Sequence, residues 1–367
     1  MTNLIIHILF LAVLTFTIFL AIIDLRKSRN KTRSPLITFI IPCYNCEKTI
    51  ERCIKSIYQS YKKEKIEMIV INDNSKDNTL KILNKLSEDY NLKIVNNLQN
   101  LGKTKSINSV WRTSKGDLIW IVDSDTFINK KSVNECLGRL YDEKVGAVSC
   151  RYKIIKEGFL SWMVGLEFNM LAISHSAYNV STALSIWGGC SVYKRKALFD
   201  INGLKENMIV EDMDSALRLG EIGWKVEQCF SPVLTYSPDT LKGWFKQKVR
   251  WSAGGMQCFL KHPKSFIKSP LAIFFTIIYS LGIASNLIEI SYLPFMNVSY
   301  FTSMILMALI SCPYLLIETE KFSDISHFFY LFAFVVVYYP LFFLASLFGF
   351  FKGIYAYFKL GEGERGW

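Results

Sequence analysis

Histidine is scarce. The 367 residues hold four, His7, His175, His262 and His327, and His7 and His327 lie in or beside apolar segments. A histidine-centred catalyst or a His-rich metal site is therefore not expected. Cysteine is present in an odd number, nine, without regular pairing. That argues against a disulfide framework and for reduced thiols facing the cytosol. Cys43-x-x-Cys46 and Cys53 have no second ligand pair at metal spacing, so structural zinc is not expected. The chain has no GxxxxGK[ST] motif, which leaves P-loop chemistry unsupported. Apolar residues are abundant: 51% hydrophobic, 14% aromatic, mean hydropathy +0.22. That is too apolar for an ordinary soluble enzyme or a disordered chain. Lys and Arg number 43 against 31 acids, a net charge of +12. On so apolar a chain this excess suits an anionic membrane face or a phosphorylated substrate, and no nucleic-acid partner is expected.

The apolar residues are concentrated at the two ends. Residues 4–23 carry no formal charge and no proline. As a helix they would span about 30 Å, the thickness of the bilayer hydrocarbon. They lack the preceding basic residues of a secretory signal. Arg26, Lys27, Arg29, Lys31 and Arg33 follow in a basic linker over 26–34, which places that end in the cytoplasm. Near the other terminus, 271–293 (with one acid, Glu289), 298–317 and 328–351 read as about three further spans within 270–353, followed by a tail over 354–367. Four spans put the carboxyl terminus outside, whereas Lys352, Lys359 and Arg365 favour the inside, so the topology stays open at this stage. The segment 241–269 reads as amphipathic and interfacial. Its Lys242, Lys246, Lys248, Lys261, Lys264 and Lys268 are expected to be solvated or to face lipid headgroups.

Between 35 and 240, short apolar runs alternate with amphipathic ones. Residues 37–41, 67–71, 93–95, 118–122 and 147–150 read as buried strands, and 49–59, 79–86 and 105–113 as helices. Such alternation predicts an α/β domain with a mostly parallel, Rossmann-like sheet covered by helices on both faces. Ligands bind such sheets beyond the carboxyl ends of the strands. The polar residues collect there: Pro42-Cys43-Tyr44-Asn45, Asn72-Asp73-Asn74-Ser75, Asn100-Leu101-Gly102-Lys103 and Asp123-Ser124-Asp125. Two carboxylates one residue apart can present hard oxygen donors to Mg²⁺ or Mn²⁺ and leave coordination positions for a diphosphate. Lys103 adds positive charge.

Taken with IWGGCSVYKRKAL, MIVEDMDSALRL and Gln247-Lys248-Val249-Arg250-Trp251, these motifs resemble the family 2 glycosyltransferases of the GT-A fold over roughly residues 35–265. Glu-Asp followed by Gln-x-x-Arg-Trp is similar to the membrane-embedded cellulose, chitin, hyaluronan and poly-N-acetylglucosamine synthases. KVRWSAGG is most similar to the last of these. The resemblance implies a cytoplasmic catalytic domain on a multi-pass protein of the cell membrane. Pro42, Tyr44, Asn45 and Asp73 would hold the nucleoside, and Lys103 would lie near the donor. Asp123 and Asp125 would bind the metal and diphosphate. Gly188, Gly189 and Cys190 would line the acceptor pocket, with Trp187 beside them. Asp212, after Glu211, would be the general base. Gln247, Arg250 and Trp251 would close over diphosphate and acceptor.

These roles suit the side chains. Inverting sugar transfer needs a base on the acceptor hydroxyl and stabilisation of the departing diphosphate. Arg250 can pair with phosphate oxygens in bidentate fashion, and Trp251 offers a flat face to a pyranose ring. Glu211 and Asp212 also suit the first turn of a helix, and Trp251 also suits a membrane interface. The expected activity is transfer from a UDP-sugar, favoured to be UDP-N-acetylglucosamine, to a growing β-linked polysaccharide. The alternative is one sugar added to a polyprenyl-phosphate or glycolipid acceptor. A homo-oligomer or an export partner would complete a path for a polymer across the lipid bilayer.

Overall fold

β-Branched residues set the strands. Ile37–Cys43 (β1), Ile66–Asn72 (β2), Leu92–Asn96 (β3) and Leu118–Val122 (β4) pair in parallel in the order β3-β2-β1-β4. β1 and β4 are almost wholly buried, as expected for strands covered on both faces. Phe39 and Trp120 are register partners and stack at 5.4 Å, each with no exposed surface. Side chains of that size contribute about 1.5–3 kcal/mol each when fully buried. In the computed structural model of the chain, the described residues are 34–155, 157–179, 182–267 and 333–359, with positions 16, 19, 20, 23 and 24.

The sheet is mixed, with two strands running against the rest. It has eight strands in the order β3-β2-β1-β4-β7-β6-β8-β5, where β5 is Thr126–Phe127, β6 Val145–Ile154, β7 Cys190–Lys194 and β8 Lys225–Thr235. β7 leaves the Gly188-Gly189 turn and inserts antiparallel between β4 and β6. β5 also pairs antiparallel with β8, while β6 and β8 run parallel. The mixed sheet follows from that insertion, which joins two parallel halves through one reversed strand.

Helices cover the sheet. They are α1 Ile50–Ser60, α2 Thr79–Asp89, α3 Lys103–Val110, α4 Lys130–Leu140, α6 Arg195–Asp200 and α7 Glu211–Glu221. α3 lies against β1 and β2, α4 against β6 and β8, and α7 against β8. The helix expected over 105–113 begins earlier, because Gly102, at φ +79°, turns the chain into it, and it closes with a 3₁₀ turn at Trp111–Thr113. The described cysteines are free thiols. Those of Cys136, Cys150 and Cys229 lie within 4.8 Å of one another, fully buried among α4, β6 and β8.

The expected single domain over 35–240 is interrupted. The chain divides into two compact units, and α5, Phe159–Tyr178, groups with the residues from Ser237 onward and not with the sheet. α5 is apolar on nearly all sides, so it suits a helical unit better than one face of a sheet. The sheet unit takes in the chain through Ile155 and again Asn179–Tyr236.

The helical unit contains α5, α8 (Leu241–Lys261), α9 (Pro263–Ile267), a π-helical turn at Phe334–Tyr338 and α10 (Tyr339–Lys359). α8 packs along α10. A Cβ built on Gly349 would stand 2.6 Å from the Val249 carbonyl oxygen, and one on Gly353 2.5 Å from that of Ala253. Glycines four residues apart therefore let the two backbones approach closely. Ser252 Oγ donates to the Ser346 carbonyl at 2.7 Å across the same seam. Among the described residues one helix, Pro340–Lys359, is long and apolar enough to cross a membrane. It runs past the expected limit at 353, because Tyr355, Tyr357 and Phe358 extend its apolar surface. The expected segments 26–33, 271–293 and 298–317, all but a few positions of 4–23, and the tail from 360 lie outside the described residues.

Candidate active site

The site is built at the carboxyl ends of β1, β2 and β4 and the amino ends of α3 and α7. At β1 and β2, the Asp73 amide donates to the Cys43 carbonyl at 2.8 Å, which ties the two strand tips together. Asn45, at φ +52°, accepts from the Lys76 amide at 2.8 Å and donates its own amide to Ser75 Oγ at 3.1 Å. The Glu47 carboxylate accepts from Asn78 and the Glu47 amide donates to Asp77, so the loops after β1 and β2 form one structure. Pro42 is the penultimate residue of β1 beneath them, and the Tyr44 ring is half exposed at the rim.

Asp73 is buried and committed. Its Oδ1 accepts from the Leu101 amide (2.8 Å) and from Asn97 Nδ2 (2.8 Å), and its Oδ2 from the Gly102 amide (2.7 Å). Three of the roughly four acceptor positions of a carboxylate are thus used to fix the loop that opens α3. That loop presents Lys103.

The Lys103 ammonium is the centre of the cluster. It lies 2.6 Å from Asp123 Oδ1 and 3.8 Å from Glu211 Oε1, and donates to the Gly188 carbonyl at 3.1 Å. Burial opposes its charge, but Asp123, Glu211 and Asp212 together hold its proton more tightly than usual. Asp123 stands at the end of β4, with its amide bound to the Gly189 carbonyl at 2.8 Å. Asp125 is pushed up to about 6 by burial and by the neighbouring Asp123 charge. Four carboxylates, Asp123, Asp125, Glu211 and Asp212, therefore share the surroundings of one ammonium. A divalent cation at Asp123 and Asp125 fits this set, because the donors are hard oxygens and the repulsion between them is what a cation relieves.

Asp212 lies in the first turn of α7. Its Oδ2 accepts from the Gly188 amide at 2.9 Å and its Oδ1 from the Met213 amide at 2.8 Å. Burial, then the Glu211 charge, raise it to about 6 against the pull of Lys103 and both amides. α7 is anchored by Arg218, whose Nε pairs with Asp214 at 2.6 Å and whose other nitrogens donate to the carbonyls of Ile201 and Gly203. The acids at its amino end are thus held on a fixed turn.

Gly188 and Gly189 belong to this cluster because no side chain fits. A Cβ on Gly188 would stand 2.6 Å from Asp212 Oδ2, and one on Gly189 2.5 Å from the Tyr152 hydroxyl and 2.8 Å from Asp123 Oδ2. Cys190, expected in the pocket, points elsewhere. It is fully buried, and its Sγ accepts from Trp120 Nε1 at 3.3 Å inside the sheet, because β7 begins there and alternation turns its side chain away. Trp187 is buried with its ring on Tyr152 at 4.9 Å. Tyr152, on β6, was not evident in the sequence. Burial and the Asp123 charge raise its phenol well above the usual tyrosine range. Nothing in the alternating pattern of β6 distinguishes it from a core residue.

Gln247, Arg250 and Trp251 lie on α8, in the helical unit. Arg250 is exposed. Gln247 Oε1 is buried and has no hydrogen-bond partner among the described residues. The Trp251 ring packs edge-on against Phe168 at 5.8 Å. Lys248 is not the solvated charge expected: it is 1% exposed and its Nζ lies 2.7 Å from Glu167 Oε1. Its position on the inner face of α8, toward α5, accounts for this. Lys242, Lys246, Lys261 and Lys264 are exposed as expected, and Lys268 lies outside the described residues.

Residues 38–201 match the family model "Glycosyl transferase family 2". A poly-beta-1,6-N-acetyl-D-glucosamine synthase of Staphylococcus aureus is 29% identical over 242 residues, which cover 64% of this chain and 58% of the relative. A Bacillus subtilis protein described as "Probable glycosyltransferase YdaM" is 27% identical over 252 residues, 65% of this chain and 60% of that protein. The chain thus spans about three fifths of the length of these curated relatives. In fold it is similar to a mannosyltransferase of Pyrobaculum calidifontis solved with GDP-Man and Mn²⁺, with a TM-score of 0.62 at 18% identity, covering 97% of this chain and 99% of the other.

Proposed function

Starting from a chain that is a family 2 glycosyltransferase, we propose that it is an inverting, membrane-bound enzyme that transfers N-acetylglucosamine from UDP-N-acetylglucosamine to the end of a growing β-linked polysaccharide. The observation that carries this is the convergence of Lys103, Asp123, Glu211 and Asp212 around the Gly188 peptide. The sugar is suggested by the staphylococcal relative, whose name specifies it. Membrane attachment is supported by Pro340–Lys359, on which Phe348, Phe351 and Phe358 are exposed.

In this reading the loops holding Tyr44, Asn45 and Asp73 take the nucleoside. Asp123 and Asp125 would hold Mg²⁺ or Mn²⁺, which would supply positive charge to the diphosphate leaving group. Lys103 sits where it can neutralise the same charge. Asp212 removes the proton of the acceptor hydroxyl, and a carboxylate that titrates near 6 is a stronger base than an ordinary aspartate. Its orientation is fixed by the Gly188 and Met213 amides. The resemblance assigns Arg250 and Gln247 to the diphosphate and Trp251 to the acceptor sugar as a platform. The buried amide oxygen of Gln247, without a partner among the described residues, favours a ligand role, since such atoms are seldom left unpaired.

The test is turnover of the purified full chain with labelled nucleotide sugars and Mn²⁺, followed by linkage and length analysis. Long water-soluble β-linked chains made from UDP-N-acetylglucosamine support the proposal. A product that carries one sugar and partitions into organic solvent assigns a lipid-linked acceptor instead. An Asp212→Asn variant should bind donor and fail to transfer. Full activity in it overturns the base assignment.

A further inference from the structure

The interior of the helical unit holds an ion pair that the proposed chemistry does not use. Glu167 on α5 and Lys248 on α8 are both buried, with Lys248 Nζ 2.7 Å from Glu167 Oε1. The second carboxylate oxygen accepts from the Tyr338 hydroxyl, in the turn before α10, and that hydroxyl accepts from Trp244 Nε1 at 2.7 Å. The same ammonium stands 4.0 Å from the centroid of the Trp251 ring and 5.3 Å from that of Phe168. One face of Trp251 is therefore covered by a cation, and Phe168, next in sequence to Glu167, packs on it edge-on at 80°.

A buried ion pair is weak support for stability, because desolvation offsets much of its attraction. Its better-attested use is to specify one geometry. Here Lys248 and Trp251 are three residues apart and share a face of α8. An ammonium bound to Glu167 can lie over the indole only in one arrangement of both side chains. Remove Glu167 and Lys248 becomes an unpaired buried cation that must leave or lose its proton. Either change frees the ring.

We propose that Glu167 and Lys248 are positioning residues that set the plane of Trp251, so that the pair governs acceptor engagement and chain length without contacting the donor. This rests on the reading of Trp251 as an acceptor platform. Tyr338 and Trp244 extend the device to the turn preceding α10.

The experiment compares full-length wild type, Lys248→Arg, Lys248→Met, the paired Glu167→Gln/Lys248→Met and Trp251→Ala, with labelled UDP-N-acetylglucosamine and Mn²⁺. It reads donor hydrolysis, donor KM and product length. The paired variant removes both charges at once and so avoids an unpaired buried ion that could unfold the unit. Expected are donor KM and hydrolysis within twofold of wild type in the Lys248 and Glu167 variants. Lys248→Met and the paired variant should shorten product about tenfold, as should Trp251→Ala. Lys248→Arg, which keeps the cation, should restore length. If the paired variant elongates like wild type while Trp251→Ala does not, the positioning role is overturned and the platform reading stands. If Trp251→Ala itself elongates like wild type, the platform reading falls.

Discussion

Gly188 donates its amide hydrogen to Asp212 Oδ2 at 2.9 Å, and its carbonyl accepts from the Lys103 ammonium at 3.1 Å. One peptide thus orients both the proposed base and the cation beside Asp123. A methyl group at Gly188 would enter the Asp212 carboxylate at 2.6 Å. Gly188→Ala should therefore lower transfer at least a hundredfold while the protein stays folded, since the clash is with one side chain and not with the sheet. Gly189→Ala crowds Asp123 Oδ2 and the Tyr152 hydroxyl instead. It should raise the Mn²⁺ concentration needed for half-maximal activity. Kinetics with a metal titration, beside circular dichroism of each variant, check both outcomes.

The pH dependence follows from Asp212. Its folded-state value of about 6 lies above the ordinary 3.8. A base must be ionised, so transfer at saturating Mn²⁺ should rise with pH through about 6 and level off above it. Glu211→Gln removes a neighbouring charge that raises Asp212, so the limb should move to lower pH. The stability effect has the opposite sign. Because folding raises the proton affinity, the ionised carboxylate is penalised in the native state, and stability falls as pH rises from about 4 to about 6. The stability of Asp212→Asn relative to wild type should therefore improve by about 1–3 kcal/mol between pH 3.5 and pH 8. Thermal unfolding at the two pH values checks the sign.

Asp73 and Asp125 are both read as donor-site acids, yet the structure gives them opposite energetic roles. Asp73 accepts from Leu101, Gly102 and Asn97. Asparagine there would turn an N–H₂ group toward the backbone N–H of Leu101 or Gly102. Asp73→Asn should lose about 1–3 kcal/mol of stability and weaken donor binding, because Lys103 follows this loop. Asp125 is repelled by Asp123 and stripped of water. Asp125→Asn should leave stability unchanged or raise it while abolishing the response to Mn²⁺. Thermal unfolding paired with titration of UDP and Mn²⁺ separates the two cases.

What was legible in the sequence was what local composition controls. β4 appears at the expected residues 118–122, because LIWIV is an unbroken apolar run bounded by turn residues. β1, β2 and β3 are each two residues longer, as pairing continues through Cys43, Asn72 and Asn96. The antiparallel β7 was not legible. CSVYK is a short run, and only its insertion between β4 and β6 makes it a strand. That insertion also explains Cys190, whose direction depends on where β7 starts. Lys103, Asp123 and Asp212 could be anticipated as neighbours because each follows a strand or opens a helix at the same sheet edge. Glu167 and Lys248 could not, since 81 residues separate them and a lysine on an amphipathic segment gives no local sign of burial. The same limit hid α5, whose apolar surface carries no period to say which unit it joins.

A seam with α10 holds α8. Gly349 and Gly353 face Val249 and Ala253, which flank Arg250 and Trp251 in sequence, and the atoms in the way of any added side chain include backbone carbonyl oxygens. Carbonyls within a helix cannot swing aside as a side chain would, so a larger residue must push α10 from α8. Overpacking of this kind costs about 1–3 kcal/mol per site. It would also displace Ser252 from the Ser346 carbonyl. Gly353→Leu should therefore lower the thermal midpoint of the detergent-solubilised protein and shorten product in parallel. Gly255→Ala, on α8 with no described residue within 4 Å of an added Cβ, should leave both unchanged. Equal behaviour of Gly353→Leu and wild type in both measurements would show that the close approach of these helices neither stabilises the unit nor places the Gln247–Trp251 face.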